Sequence, residues 1–129
     1  MSGETNLDKL LASMSPVLMP DDYVFCSLQG DCCDYPELFP LATFREEEGL
    51  TLVITKKVAI AHKLVFESVF KGITLTVHSS LEAVGLTAAV SSKLTEKGIS
   101  ANVIAAYYHD HIFVQADKVE LAMSALAEL

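Results

Sequence analysis

From Ile73 onward the hydrophobic period of the chain switches in a fixed order, and that order limits the possible folds more than any other feature. "ITLTVH" (73–78) is β-branched and aliphatic and reads as a strand. From Glu82, the residues Ala83, Leu86, Val90 and Leu94 recur at spacings of three and four, the apolar stripe of an amphipathic helix. Gly98 follows Lys97 as a helix stop, because glycine accepts the left-handed conformation. "ISANVIAAYY" and "HIFVQ" read as two strands joined at His109-Asp110. "DKVELAMSALAEL" returns to a helical period, with Asp117 and Glu120 in capping positions and Val119, Ala122, Met123 and Leu126 as its stripe. The order β-α-β-β-α is the ferredoxin-like β-α-β-β-α-β unit without its last strand. The sheet edge this leaves bare calls for a strand lent by the first half or by another subunit.

The first half carries a fainter copy of the plan. Leu7, Leu10, Leu11 and Met14 sit at i, i+3, i+4 and i+7, so "TNLDKLLASM" is expected to be a helix, closed off by Pro16 and Pro20. "DYVFCSL" (22–28) reads as a strand and "QGDCCDYPELFP" as a loop with room for one helical turn. "LATFREEEGLTLVIT" reads as a hairpin, with strands near 41–46 and 50–55 and Glu48-Gly49 at the bend. "KKVAIAHKL" is a short helical piece, and "VFESVFKG" has the composition of a further strand ending at Gly72. "LVITKKVAIA" (52–61) aligns with "FVQADKVELA" (113–122) at a constant separation of 61 residues. That separation sets Lys57 on Lys118, Val58 on Val119, Ala42 on Val103 and Gly49 on Asp110. The expected fold is α+β: two ferredoxin-like βαββαβ repeats sharing antiparallel sheets, the first degenerate because it lacks most of a first helix. Residues 1–70, with the leading helix, would form one repeat and 71–129 the other.

Charge and composition exclude several function classes. The formal net charge is −8 and no Lys/Arg cluster exists, so neither a nucleic-acid backbone nor an anionic membrane is an expected partner. No apolar run approaches the roughly 20 residues that span a bilayer, and the N-terminus has no basic start, so a cytoplasmic location is expected. Cys26, Cys32 and Cys33 form no Cys-x-x-Cys, and reduced thiols fit that compartment.

The stretch "HSSLEAVGLTAA" (78–89) is a strand-to-helix turn, a common place to hold a ligand. It lacks the Walker pattern and the G-x-S-x-G elbow. Ser79-Ser80-Leu81-Glu82 has the S-x-x-E form of a capping box. Two readings stay open: Ser79 and Glu82 cap the helix, or the helix N-terminus receives a carboxylate with Ser79, Ser80 and Thr87 supplying hydroxyls and Glu82 meeting an ammonium group. Elsewhere, His109 and His111 offer at most two ligands where zinc takes three or four, so no metal or cofactor is expected. The acids of "FREEEG" read as a solvated hairpin tip. No nucleophile has a base and an orienting third group nearby, so no catalytic residue is assigned and an enzyme is not expected.

Residues 73–126 resemble an ACT domain, a family whose first helix commonly follows a Pro-Gly-like turn and whose second strand follows "G-I-N". Val84-Gly85 is similar to the first of these and Gly98-Ile99-Ser100-Ala101-Asn102 to the second. In plan the chain is similar to aspartokinase regulatory regions. The turn lacks the family's proline. The resemblance implies a regulatory module that binds a free amino acid at an inter-repeat or inter-subunit interface, in a homodimer or higher homo-oligomer. The ligand carboxylate would meet N–H groups of Leu81 to Leu86, and its side chain would rest on Val84, Val103 and Ile104, near Asn102. The alternative is an ACT-fold protein that only oligomerises and takes no ligand.

Overall fold

The computed structural model describes residues 6–76 and 85–129. Its elements run α1 (Leu7–Ser13), β1 (Pro16–Leu28), β2 (Ala42–Glu46), β3 (Gly49–Thr55), α2 (Lys56–Ala61), β4 (Phe70–Leu75), α3 (Leu86–Glu96), β5 (Asn102–Ala105), β6 (Asp110–Gln115) and α4 (Val119–Leu126). Three short 3-10 turns, Cys32–Asp34, Pro36–Leu38 and Ala116–Lys118, complete the elements among the described residues. The strands form an antiparallel sheet in the order β2-β3-β1-β4-β6-β5. The fold is α+β and ferredoxin-like. Two compact units divide the chain: one joins the N-terminal segment through Pro20 to Lys71–Leu129, and the other is Asp21–Phe70.

In the first unit, α3, α4 and α1 cover one face of the strands. Leu86, Val90 and Leu94 of α3, Ile73 and Leu75 of β4, Ile112 and Val114 of β6, and Ala122, Ala125 and Leu126 of α4 are buried together. Leu7, Leu11 and Met14 pack against them from the N-terminal segment. The helix α3 ends in a complete Schellman motif: Gly98 N–H donates to Thr95 O at 2.9 Å and Ile99 N–H to Leu94 O at 3.0 Å. Gly98 takes φ 72°, as its expected role as a stop requires. The place of the missing strand is taken by the start of β1. Ser15 O accepts from Thr76 N–H at 2.9 Å and from the Thr76 hydroxyl at 2.6 Å.

The second unit is smaller. Val24 and Cys26 of β1, Leu50, Leu52 and Ile54 of β3, Ala59 of α2 and Leu38 of the Pro36–Leu38 turn make its core. The Thr55 side chain caps α2 by accepting from Val58 N–H at 3.2 Å. Behind β1 and β3, Phe25 meets Phe70 edge-to-face with ring centroids 5.3 Å apart.

Several expectations need correction. The strand expected at 22–28 begins at Pro16, so Pro16 and Pro20 lie within β1. Proline is tolerated there because β3 pairs only with Tyr23 to Leu28. "VFESVFKG" is not a strand before Phe70. Leu64, Phe66 and Val69 instead pack against the second unit's core from a loop, with Val65 exposed. Among the described residues α3 starts at Leu86, after the N-cap Gly85, and the expected start at Glu82 lies outside them. Asp117 and Glu120 do not cap α4: a 3-10 turn delays the helix to Val119, and its N-cap residue, Lys118, makes no side-chain cap bond.

The repeat is real in the structure but its period is 60, not 61. Ala42 pairs with Val53 and Asn102 with Phe113, each 60 residues further on. Glu46 pairs with Gly49, and Ala106 N–H donates to His109 O at 3.0 Å, again 60 further on. The second bend is therefore at Tyr107-Tyr108 and not at His109-Asp110, and Asp110 opens β6. Burial decides this. Leu50, Leu52 and Ile54 face one core and Ile112 and Val114 the other, and a one-residue slip would turn every strand side chain to the wrong face.

Candidate functional site

The start of α3 is built around Gly85. Its φ of 103° is left-handed, a region that residues with a Cβ rarely enter. Its carbonyl accepts the first helical bond, from Ala89 N–H at 2.8 Å. A glycine at the N-cap brings no side chain to the first-turn N–H groups, which carry the positive end of the helix dipole. The space beside Gly85 belongs to α1: a Cβ there would lie 3.0 Å from Leu7 Cδ2. Leu86 is buried in the core, so only its backbone faces the turn, and Thr87 is exposed. Ser79, Ser80, Leu81, Glu82 and Val84 lie outside the described residues, as does the capping box built on Ser79 and Glu82.

On β5 the expected residues divide between the two sides of the sheet. Val103 stands opposite Ile112, which faces α3 and α4. Asn102 and Ile104 stand opposite Phe113 and His111 and point to the other side. One ligand resting on a single side meets Val103 or Ile104, not both. Asn102 Nδ2 donates to Phe113 O at 3.1 Å across the strand pair. Thr87, the α3 backbone and Val103 remain as a group that shares the helix side of this unit.

The far side of the same strands holds a polar cluster that the sequence reading did not join up. His111 Nδ1 lies 3.0 Å from Thr74 Oγ1. Burial pushes the His111 imidazole below its usual pKa, and neighbouring His109 adds to this. On the helix side of β6, opposite Ala105, burial raises the Asp110 carboxyl pKa, against the pull of His111 and His109. Alternation along β6 could have set His111 on the side opposite Ile112, but Thr74, 37 residues away, gave no local signal. No group of three or more metal-ligating side chains is found among the described residues.

The acidic hairpin tip is solvated. Glu46 accepts from the Thr51 hydroxyl, Gln29 Nε2 donates to Glu48 O at 3.2 Å, and Arg45 and Glu47 are exposed. Cys26 is buried, which pushes its thiol pKa up, whereas Cys32 and Cys33 are free and exposed.

With the geometry in hand, comparison with known proteins decides the family. Residues 2–71 match an ACT domain, and residues 67–128 match a second. The chain belongs to the ACT-domain family. ACT domains are regulatory ligand-binding modules, and this chain carries two. A Vibrio cholerae protein of unknown function, described as a possible transport protein, is 60% identical, with a TM-score of 0.88 over 95% of this chain and 94% of that one. Aspartate kinase from Clostridium acetobutylicum, an allosteric enzyme, is 9% identical with a TM-score of 0.68, over 97% of this chain but 35% of the kinase. The regulatory subunit of aspartate kinase from Thermus thermophilus is 8% identical with a TM-score of 0.60, over 88% of this chain and 95% of the subunit. At such identities the likeness to the kinases is one of fold. No curated protein matches the sequence. No helix among the described residues is long and apolar enough to cross a membrane.

Proposed function

We propose that the chain is a non-catalytic amino-acid sensor of the cytoplasm, with 1–70 and 71–129 as its repeats, acting through an interface with a second copy of itself. The observation that carries this reading is the first turn of α3, opened by an uncapping glycine, in a chain with two ACT matches. The ligand carboxylate meets the N–H groups of Leu86 and Thr87, and its side chain rests toward Val103. Ser79, Ser80, Leu81, Glu82 and Val84 complete the site from the preceding turn. Binding shifts the interface by its differential affinity for the two arrangements.

A thermal-shift screen of the twenty amino acids tests this. A ligand held at 100 times its Kd stabilises by about 2.7 kcal/mol. Thr87→Arg crowds the turn from an exposed position and should abolish the shift while the unliganded melting point holds. No shift with any amino acid at millimolar concentration rejects the reading. A bulky residue at Gly85 is a poor probe, because it collides with Leu7 and disturbs α1 whatever the ligand does. The closeness of Leu7 and the burial of Leu86 favour a second reading, a ligand-free oligomerisation module. Concentration-dependent sizing with a silent amino-acid screen selects it.

A further inference from the structure

The adjacent cysteines take no part in the reading above. Asp31 and Asp34 close a capping box around the Cys32–Asp34 turn: Asp31 Oδ1 accepts from Cys32 N–H at 2.7 Å, and Asp34 Oδ2 from Asp31 N–H at 2.8 Å. The Tyr35 hydroxyl donates to Gln29 O, and Leu38, a few residues on, is buried in the core. A Cβ on Gly30 would fall 2.6 Å from Asp34 Oδ2, so the loop closes tightly on itself. Two free, exposed thiols are thus presented side by side on a held loop.

We propose that Cys32 and Cys33 form a dithiol site for monosubstituted trivalent arsenicals. Valence fits this class. Zinc takes three or four protein ligands, and no third metal ligand joins these two among the described residues. Asp31 and Asp34 are already engaged in the capping box. A monosubstituted arsenic(III) centre has two exchangeable bonds and takes two thiols. In the reaction R–As=O + 2 Cys–SH → R–As(S–Cys)2 + H2O, two S–H bonds break and two As–S bonds form. The oxygen leaves as water with both protons, and arsenic keeps its oxidation state.

The neighbouring Asp31 carboxylate and Cys33 push the Cys32 thiol pKa up from that of an ordinary thiol. Disulfide exchange and peroxide attack run through the thiolate, so a raised pKa at Cys32 lowers the fraction of that thiol in the reactive form.

The test is intact-mass analysis of the folded, full-length chain after phenylarsine oxide. One arsenical per chain should bind, withstand excess glutathione and come off with a dithiol. Cys32→Ser and Cys33→Ser are exposed replacements, and each should lower retention under glutathione at least about tenfold, because the second As–S bond closes within the molecule. Loss of the label from the native chain to glutathione, or its retention in either single variant, overturns the proposal. Buried Cys26 is present in all these proteins and so cannot account for a difference between them.

Discussion

The hairpins Ala42–Thr55 and Asn102–Gln115 share one register, yet what leads into each differs. Before the second hairpin stands α3, a helix of 11 residues whose Leu86, Val90 and Leu94 fill a core under three helices. Before the first stand two single 3-10 turns, from which Leu38 alone is buried. A helix supplies an apolar stripe, while a loop supplies one anchor. The same strand plan therefore tolerates loss of its first helix only if loop residues such as Leu38, Tyr35 and Phe66 cover the sheet instead.

The largest effect should come from the helix-covered core. Leu94→Ala should cost about 4 kcal/mol in chemical denaturation, since its site is enclosed on all sides. Leu38→Ala should cost about 2 kcal/mol, because a loop can settle into the space. Equal costs would break the contrast between the halves. Next comes Gly72→Ala in β4, whose new Cβ would lie 2.6 Å from Met19 Sδ and 3.0 Å from Phe113 Cε2. A loss of about 2 kcal/mol is expected, partly restored by adding Met19→Ala, as a double-mutant cycle would read.

Equivalent positions sharpen the comparison. Thr55 and Gln115 stand 60 residues apart, each just before a helical turn, but only Thr55 caps. Thr55→Ala should cost about 1 kcal/mol. Gln115→Met should be neutral or stabilising, because Gln115 Oε1 is buried without a hydrogen-bond partner.

The smallest expected effect is on pH dependence. Folding depresses the His111 pKa below its ordinary 6.5, so the unfolded chain binds that proton more readily. The stability tied to neutral His111 is whole above pH 6.5 and falls as pH drops through the folded pKa. Asp110 acts oppositely: its raised pKa favours the fold below its ordinary 3.8, a gain lost as pH rises through the folded value. His111→Gln should flatten the melting temperature below pH 6.5, and an unchanged slope would contradict the burial argument.

Most of the fold could be read from the sequence because the signals were local. The stripe of Leu86, Val90 and Leu94 and the stop at Gly98 are each set within a few residues, whereas the first bend lies at Glu47-Glu48, one residue before the expected Glu48-Gly49, because Glu46 pairs with Gly49. The period of the repeat could not be fixed this way. Identities such as Val58 with Val119 favour 61, but facing side chains demand 60, and only tertiary burial reveals which way a strand faces. The start of β1 was hidden by two prolines that ordinarily argue against a strand. At the candidate site, Gly85 as a special backbone position was legible. Leu7 as its neighbour was not, because contact between segments so distant in sequence leaves no trace in spacing.

The N-terminal segment has a consequence for synthesis. Leu7, Leu11 and Met14 leave the ribosome before the helices they pack against are made. At 5–20 residues per second they wait on the order of ten seconds for their partners. A nascent chain stalled after the first hairpin would still display them, and a gene cut at the boundary between the repeats would leave α4 and α3 without their cover.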